Sequence, residues 1–151
     1  PSGLPLEAGA NEKKFKTVFL DIGLLAHING LNRNYLEIKQ NMSRIFSGAL
    51  AEQFVGQEFL AAGQNSLYYW ARQSKSSTAE VDYLFERNNE IFPVEVKSGS
   101  SGSLRSLHLL LDQFPGITKA YVLSHAELGK IENQKLEFVP IYYASYLVSK
   151  K

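Results

Sequence analysis

The chain has 151 residues, no cysteine and a formal net charge of +1, with 44% hydrophobic and 21% charged residues. This is one ordinary globular domain with a sizeable core, not a disordered chain. Disulfide scaffolds, thiolate metal sites and cysteine nucleophiles are excluded, as is a membrane span, because no run reaches the ~18 apolar residues that one needs.

The chain begins Pro1-Ser2-Gly3-Leu4-Pro5 without a signal-peptide core, so it is expected to be a cytoplasmic piece of a longer protein. Residues 1–14 lack periodicity and read as a linker or frayed N-terminus. Residues 15–46 read as an N-terminal extension, with a strand over 15–20 and a helix over Ile22 to Ile28 capped by Asp21. Gly30 suits the position just past that helix, and one or two helical pieces follow over 31–46. Residues 47–151 form the main domain, compact with 15–46. Ser47 is expected to cap a helix from Gly48 to Ala62 that Gly63 stops. Leu50, Ala51, Phe54, Val55, Phe59 and Ala62 share one face of it. Glu52 lies at the edge of that face, and Glu58 lies inside it, unusual for a charged residue.

Leu67 to Arg72 is strand-like, and Gln73 to Thr78 reads as a polar loop. Ala79 to Glu86 and Ile91 to Lys97 are two further strands joined by Arg87-Asn88-Asn89-Glu90. A Ser/Gly-rich loop (Ser98 to Ser103) leads into a helix with Leu104, Leu107, Leu111 and Phe114 at helical spacing, ended by Pro115-Gly116. Exposed amides at its start can serve a phosphate, or the loop is a plain connection. Strands follow at Lys119 to Ser124 and Leu136 to Val139, and Pro140 opens a last helix to about Ser149. The aromatic tail Phe138 to Leu147 is either core or a self-association surface of a homo-oligomer.

With Asn88-Asn89 as a two-residue type I′ turn, paired residue numbers sum to 177. Phe85 then faces Phe92, Asp82 faces Glu95 and Glu80 faces Lys97. Alternation puts these four charged residues on one face, with Val81, Tyr83, Phe85, Phe92, Val94 and Val96 on the other. Pro93 fits only an edge or a position that needs no N–H. Directly opposed carboxylates are unfavourable. Lys97 alone can neutralise them, or a hard divalent cation with oxygen ligands can. The latter arrangement suits phosphodiester hydrolysis, with Lys97 orienting water or stabilising charge. Taken alone, Glu95-x-Lys97 is a common pattern that usually marks a solvated strand face, and Asp82 opposite Glu95 is what sets it apart. Neither a Ser-His-Asp arrangement nor a zinc motif is visible. Trp70 is read as core, and Glu58 as a structural acid or a second helix carboxylate.

Glu52 on a helix, Asp82, then Glu95-x-Lys97 followed by a helix and a strand resembles the PD-(D/E)XK nuclease superfamily, over about residues 47–124. The resemblance implies a restriction-endonuclease-like α/β core of helix, three strands, helix and strand, with a central mixed sheet flanked by helices. It implies Asp82, Glu95 and Glu52 as ligands of Mg²⁺ or Mn²⁺, Lys97 as the catalytic lysine and DNA as substrate. The aspartate sits in Val81-Asp82 where the superfamily's name has Pro-Asp. Gln113 matches a glutamine that some members place on the helix after the lysine strand, and Glu80 and Glu58 are further candidates.

The stretches Phe19-Leu20-Asp21-Ile22-Gly23-Leu24, Gly48-Ala49-Leu50-Ala51-Glu52-Gln53-Phe54-Val55, Leu67-Tyr68-Tyr69-Trp70, Glu80-Val81-Asp82 and Val94-Glu95-Val96-Lys97-Ser98-Gly99 are together similar to one domain family. It is the uncharacterised C-terminal domain of a group of prokaryotic AAA-type ATPases. That resemblance implies an ATPase domain as N-terminal partner. ATP is not expected to bind this chain, which has no P-loop pattern. Three functions follow as expectations: a metal-dependent nuclease-like domain, an inactive nuclease-like module that binds nucleic acid or protein, or a structural domain of the parent ATPase.

Overall fold

A computed structural model describes residues 3–29, 40–74, 77–99 and 103–149. Gly30, part of the helical pieces expected over 31–46, and the middle of the Ser98 to Ser103 loop lie outside the described residues. The elements are α1 (Ile22–Ile28), α2 (Gln40–Ala61), β1 (Tyr68–Ser74), β2 (Ser77–Arg87), β3 (Glu90–Val96), α3 (Arg105–Gln113), β4 (Ala120–Ser124), β5 (Gly129–Ile131), β6 (Leu136–Pro140) and α4 (Ala144–Val148), with 3₁₀ turns at Leu6–Gly9, Glu132–Gln134 and Ile141–Tyr143. None of the described helices is long and apolar enough to cross a membrane.

The strands form one six-stranded mixed sheet in the order β1-β2-β3-β4-β6-β5. β1–β2 and β2–β3 are antiparallel, β3–β4 and β4–β6 are parallel, and β5 returns antiparallel on β6. Helices cover both faces. On one, Val55 and Phe59 of α2 and Leu147 of α4 meet Tyr83, Phe85, Phe92, Val94 and Tyr121. On the other, Leu107, Leu110 and Leu111 of α3 meet Trp70, Val81, Leu84 and Val122. Trp70 is core, as expected.

The hairpin forms as its sequence dictates. Asn88 and Asn89 take φ of 52° and 61°, as a type I′ turn requires, and the pairs run Arg87↔Glu90, Phe85↔Phe92 and Tyr83↔Val94. Hydrogen-bonded and non-bonded pairs alternate from the closing pair. Leu84↔Pro93 therefore needs no N–H, and the parallel ladder to β4 begins one residue later, at Val94. Pro93 is thus tolerated in a central strand.

Several expectations change. Ser47 lies inside α2, which starts at Gln40, so it is no cap; Gly63, at φ 95°, does end the helix. Gln73 and Thr78 are paired strand residues rather than loop. β5 had no sequence signal, because its three residues are all exposed and show no alternation. Pro140 leads into a 3₁₀ turn before the short α4. The segment from residue 3 docks on the sheet: Leu6 is buried with Trp70 and Leu84, and its N–H donates to Glu86 at 3.0 Å.

The expected strand over 15–20 forms no ladder. One side chain supplies its partner: Phe19 N–H donates to Gln53 Oε1 and Phe19 C=O accepts from Gln53 Nε2, both at 3.0 Å. An amide offers the same donor and acceptor pair as a neighbouring strand. Gln53 is 6% exposed, and these two bonds satisfy its buried polar atoms.

Candidate metal centre

Tyr68 pairs with Leu84, but Trp70 pairs with Val81. Asp82 and Tyr83 of β2 therefore oppose Tyr69 alone, which is a β-bulge. Alternation resets there. Val81 leaves the face of Tyr83 and Phe85 and joins Trp70, Leu84 and Leu107 on the other. The single apolar face expected for Val81 through Val96 is corrected accordingly.

Beyond Tyr83↔Val94 the β2–β3 backbone pairing stops. Asp82 fills the gap with its side chain, Oδ2 accepting the Val96 N–H at 2.7 Å. The end of β3 turns to β4 instead, where Lys97 N–H donates to Leu123 C=O at 2.8 Å. The expected pairing of Glu80 with Lys97 is not formed. Glu80 pairs through its backbone with Ala71 of β1, and its N–H donates to Ser106 Oγ at 3.3 Å. Lys97 places its ammonium on Glu95 Oε1 at 2.7 Å.

Helix α2 brings Glu52 over this gap. Tyr83 ties helix to bulge, its hydroxyl donating to the Glu52 carbonyl at 2.8 Å. A Cβ at Gly56 would stand 2.7 Å from that hydroxyl, so the close approach requires glycine. Carboxylate oxygens of Glu52, Glu80 and Asp82 lie within 4.8 Å of one another. Lys16 reaches in from the N-terminal segment, 2.7 Å from Glu52 Oε1, 2.5 Å from Glu80 Oε1 and 4.0 Å from Asp82 Oδ1. Its ammonium also stands 5.0 Å from the centre of the Tyr69 ring. A cavity of about 800 Å³ opens beside these groups, lined by Lys16, Phe19, Glu52, Tyr69 and Asp82 among others.

Burial and the nearby charges of Glu95 and Glu52 push Asp82 up to about 7, against the Val96 N–H and Lys16, which lower it. Burial also raises Glu95, against the pull of Lys97. For Lys16, burial lowers the pKa, but the bonds to Glu52 and Glu80 outweigh it and leave it raised. Glu95 is 6% exposed, and its Oε2 is buried without a hydrogen-bond partner. Such an oxygen costs the full desolvation penalty unless something positive meets it.

The donor set of Glu52, Glu80 and Asp82 therefore fits a hard divalent cation: it is all oxygen and over-supplied with negative charge, and the orphaned buried oxygen of Glu95 stands beside it. Glu52, Asp82 and Glu95 were expected here from the sequence. The structure gathers Glu52 and Asp82 with Glu80, and sets Glu95 beside them with Lys97. Glu58 is partly buried and stands six residues, about 9 Å, further along α2; it is not in the cluster. Gln113 is exposed at the far end of α3, about 10 Å along the helix from Ser106, and is not brought in either. Sequence reasoning missed Lys16, which sat in an expected strand with no feature to distinguish it from neighbouring lysines.

A family model described as a domain of unknown function (DUF4143) matches residues 47–143, which hold Glu52, Glu80, Asp82, Glu95 and Lys97. No curated protein and no solved structure matches the chain.

Proposed function

The chain belongs to the DUF4143 family, and from its carboxylate site we propose a divalent-metal-dependent, nuclease-like domain that hydrolyses DNA phosphodiesters on a restriction-endonuclease-like core. The buried, unpartnered Oε2 of Glu95 carries the reading. It stands beside the cluster in which Glu52, Glu80 and Asp82 face the Lys16 ammonium, with the Lys97 ammonium on Glu95's other oxygen. Glu52, Asp82 and Glu80, whose oxygens lie within 4.8 Å of one another, would hold Mg²⁺ or Mn²⁺, with Glu95 as a further ligand beside them. A bound divalent ion would acidify water and act as a Lewis acid toward a phosphoryl oxygen.

The chain's own residues supply the rest. Lys97 is held by Glu95 Oε1, which fixes a compact positive charge at the end of β3 where it can stabilise a developing phosphorane charge. Asp82, held by the Val96 N–H, ties the ligand set to the sheet backbone. The parent protein's ATPase domain is the proposed partner, and the cytoplasm the proposed compartment. Incubating supercoiled plasmid with the chain and Mn²⁺ tests the reading. Nicking is expected, falling at least about 100-fold in Lys97→Ala or Asp82→Asn. No cleavage above an EDTA control, with no Mn²⁺ binding by calorimetry, overturns it.

One observation favours a second reading. Lys16 already lies among Glu52, Glu80 and Asp82, as a built-in cation would in a module that binds DNA without cutting. That reading predicts a gel shift without nicking, unchanged in Lys97→Ala.

A further inference from the structure

The segment that carries Lys16 is attached unlike any other part of the sheet layer. It joins no ladder. Gln53 clamps the Phe19 backbone, Gln57 donates to the Leu20 carbonyl, and Lys14 donates to Gln73 at 3.2 Å. Between these side-chain clasps the segment is loosely packed: Phe15 is 77% and Leu20 93% exposed, and its inner side borders the 800 Å³ cavity. Lys16 is the one side chain of this strap that reaches the carboxylates of α2 and β2.

An ammonium and a divalent ion cannot share that place. The ammonium stands within 2.7 Å of Glu52 and Glu80 and 4.0 Å of Asp82. A cation bound to the same oxygens at about 2.0–2.2 Å would then lie only a few ångströms from a like charge, a strong repulsion that the partly buried site does little to screen. One cation must leave. The ammonium offers one charge to three carboxylates and rides on a strap held by a few side-chain bonds, so it is the one that yields.

We propose that residues 14–20 are an intrachain latch in which Lys16 occupies the cation position, so that strap docking and divalent-metal binding exclude each other. The proposal rests on the metal-site reading above and adds its regulation. Whatever draws Lys16 out raises metal affinity, and metal in turn releases the strap by the same factor, because coupling between two binding events is reciprocal. A polyanion is suited to draw Lys16 out, since phosphate competes for the same ammonium.

Two measurements on the full chain test the latch. The first is Mn²⁺ titration calorimetry of the wild type, Lys16→Met and Asp82→Asn. The second is amide hydrogen exchange over residues 17–20 in the wild type with and without saturating Mn²⁺. Lys16→Met is expected to bind Mn²⁺ at least about tenfold more tightly than the wild type. Mn²⁺ is expected to speed exchange in the strap, and Asp82→Asn to bind weakly. If Lys16→Met and the wild type bind alike, or if exchange over 17–20 is unchanged at saturation, the latch is wrong while the metal site stands. If no form binds Mn²⁺, the metal site falls and the latch with it.

Discussion

The two halves of the β2–β3 hairpin are made from the same pair of strands and behave as different materials. In the half next to the turn, Phe85, Phe92 and Tyr121 stack with ring centres 5.2 to 6.1 Å apart, Val94 is fully buried, and pairing is regular. In the other half a bulge at Asp82-Tyr83 breaks the alternation, the strands part, and side chains make the bonds that backbone groups would otherwise share. The interior of the first half is dry and satisfied, while Glu86 to Glu90 around the turn stay exposed. The second collects four carboxylates and leaves one buried oxygen without a partner. The contrast teaches that the sheet's stability and its candidate chemistry are held apart along one strand, with Tyr83 at the border. Its ring packs on Phe59 at 5.4 Å and its hydroxyl reaches the helix that carries Glu52.

If that division is right, the largest loss of stability comes from the dry half. Phe59→Ala removes a ring that is 1% exposed and contacts Tyr83 and Phe85 edge-on. It should cost about 3–5 kcal/mol in urea denaturation.

The charged half should show the opposite sign. Asp82 is raised from 3.8 to about 7 on folding, so the folded state holds its proton more tightly than the unfolded chain does. The group's penalty therefore enters as pH rises above about 4 and is complete above about 7. Without metal, the protein should be less stable at about pH 8 than at about pH 5. Glu95, raised by burial, acts in the same direction. Water reaching the 17%-exposed Asp82 side chain screens part of the effect, which leaves about 2 kcal/mol. Asp82→Asn, which keeps an acceptor for Val96, should flatten the pH dependence in denaturation midpoints measured in EDTA. An unchanged slope would show that the carboxylate cluster is not strained in the way its geometry implies.

At the border, Gly56→Ala pushes a methyl group against the Tyr83 hydroxyl. Crowding outweighs the gain in helix propensity, for a net loss of about 1 kcal/mol. In a Tyr83→Phe background the same change should be neutral or stabilising, which a double-mutant cycle reads directly. The smallest effect belongs to the turn. Asn89→Gly relieves a positive φ of 61° and should add about 0.5 kcal/mol without touching the site.

Much of the dry half was legible in the sequence. Asn88-Asn89 and strict alternation fix the register from Arg87↔Glu90 to Tyr83↔Val94, because turn type and apolar pattern agree there. Asp21 caps α1 as expected, accepting from Leu24 N–H at 2.8 Å. The charged half was legible only in part. Asp82, Glu95, Lys97 and Glu52 could be singled out, but the bulge that rearranges them arises from how β1 and β2 fit together, and neither strand alone encodes it. The alternation rule therefore put Val81 on the wrong face and Glu80 opposite Lys97. Lys16 was invisible for a related reason. Its place depends on Gln53, a buried polar residue inside an apolar helix face, acting as a substitute strand.

The most direct test of the divalent-cation site is a crystal structure grown with Mn²⁺ and examined by anomalous scattering. A manganese peak is expected among Glu52, Glu80 and Asp82 with Glu95 beside it, Glu95 Oε2 no longer alone, and Lys16 withdrawn from the cluster. Lys16 still bound to Glu52 and Glu80, with no anomalous peak among these carboxylates, would contradict it.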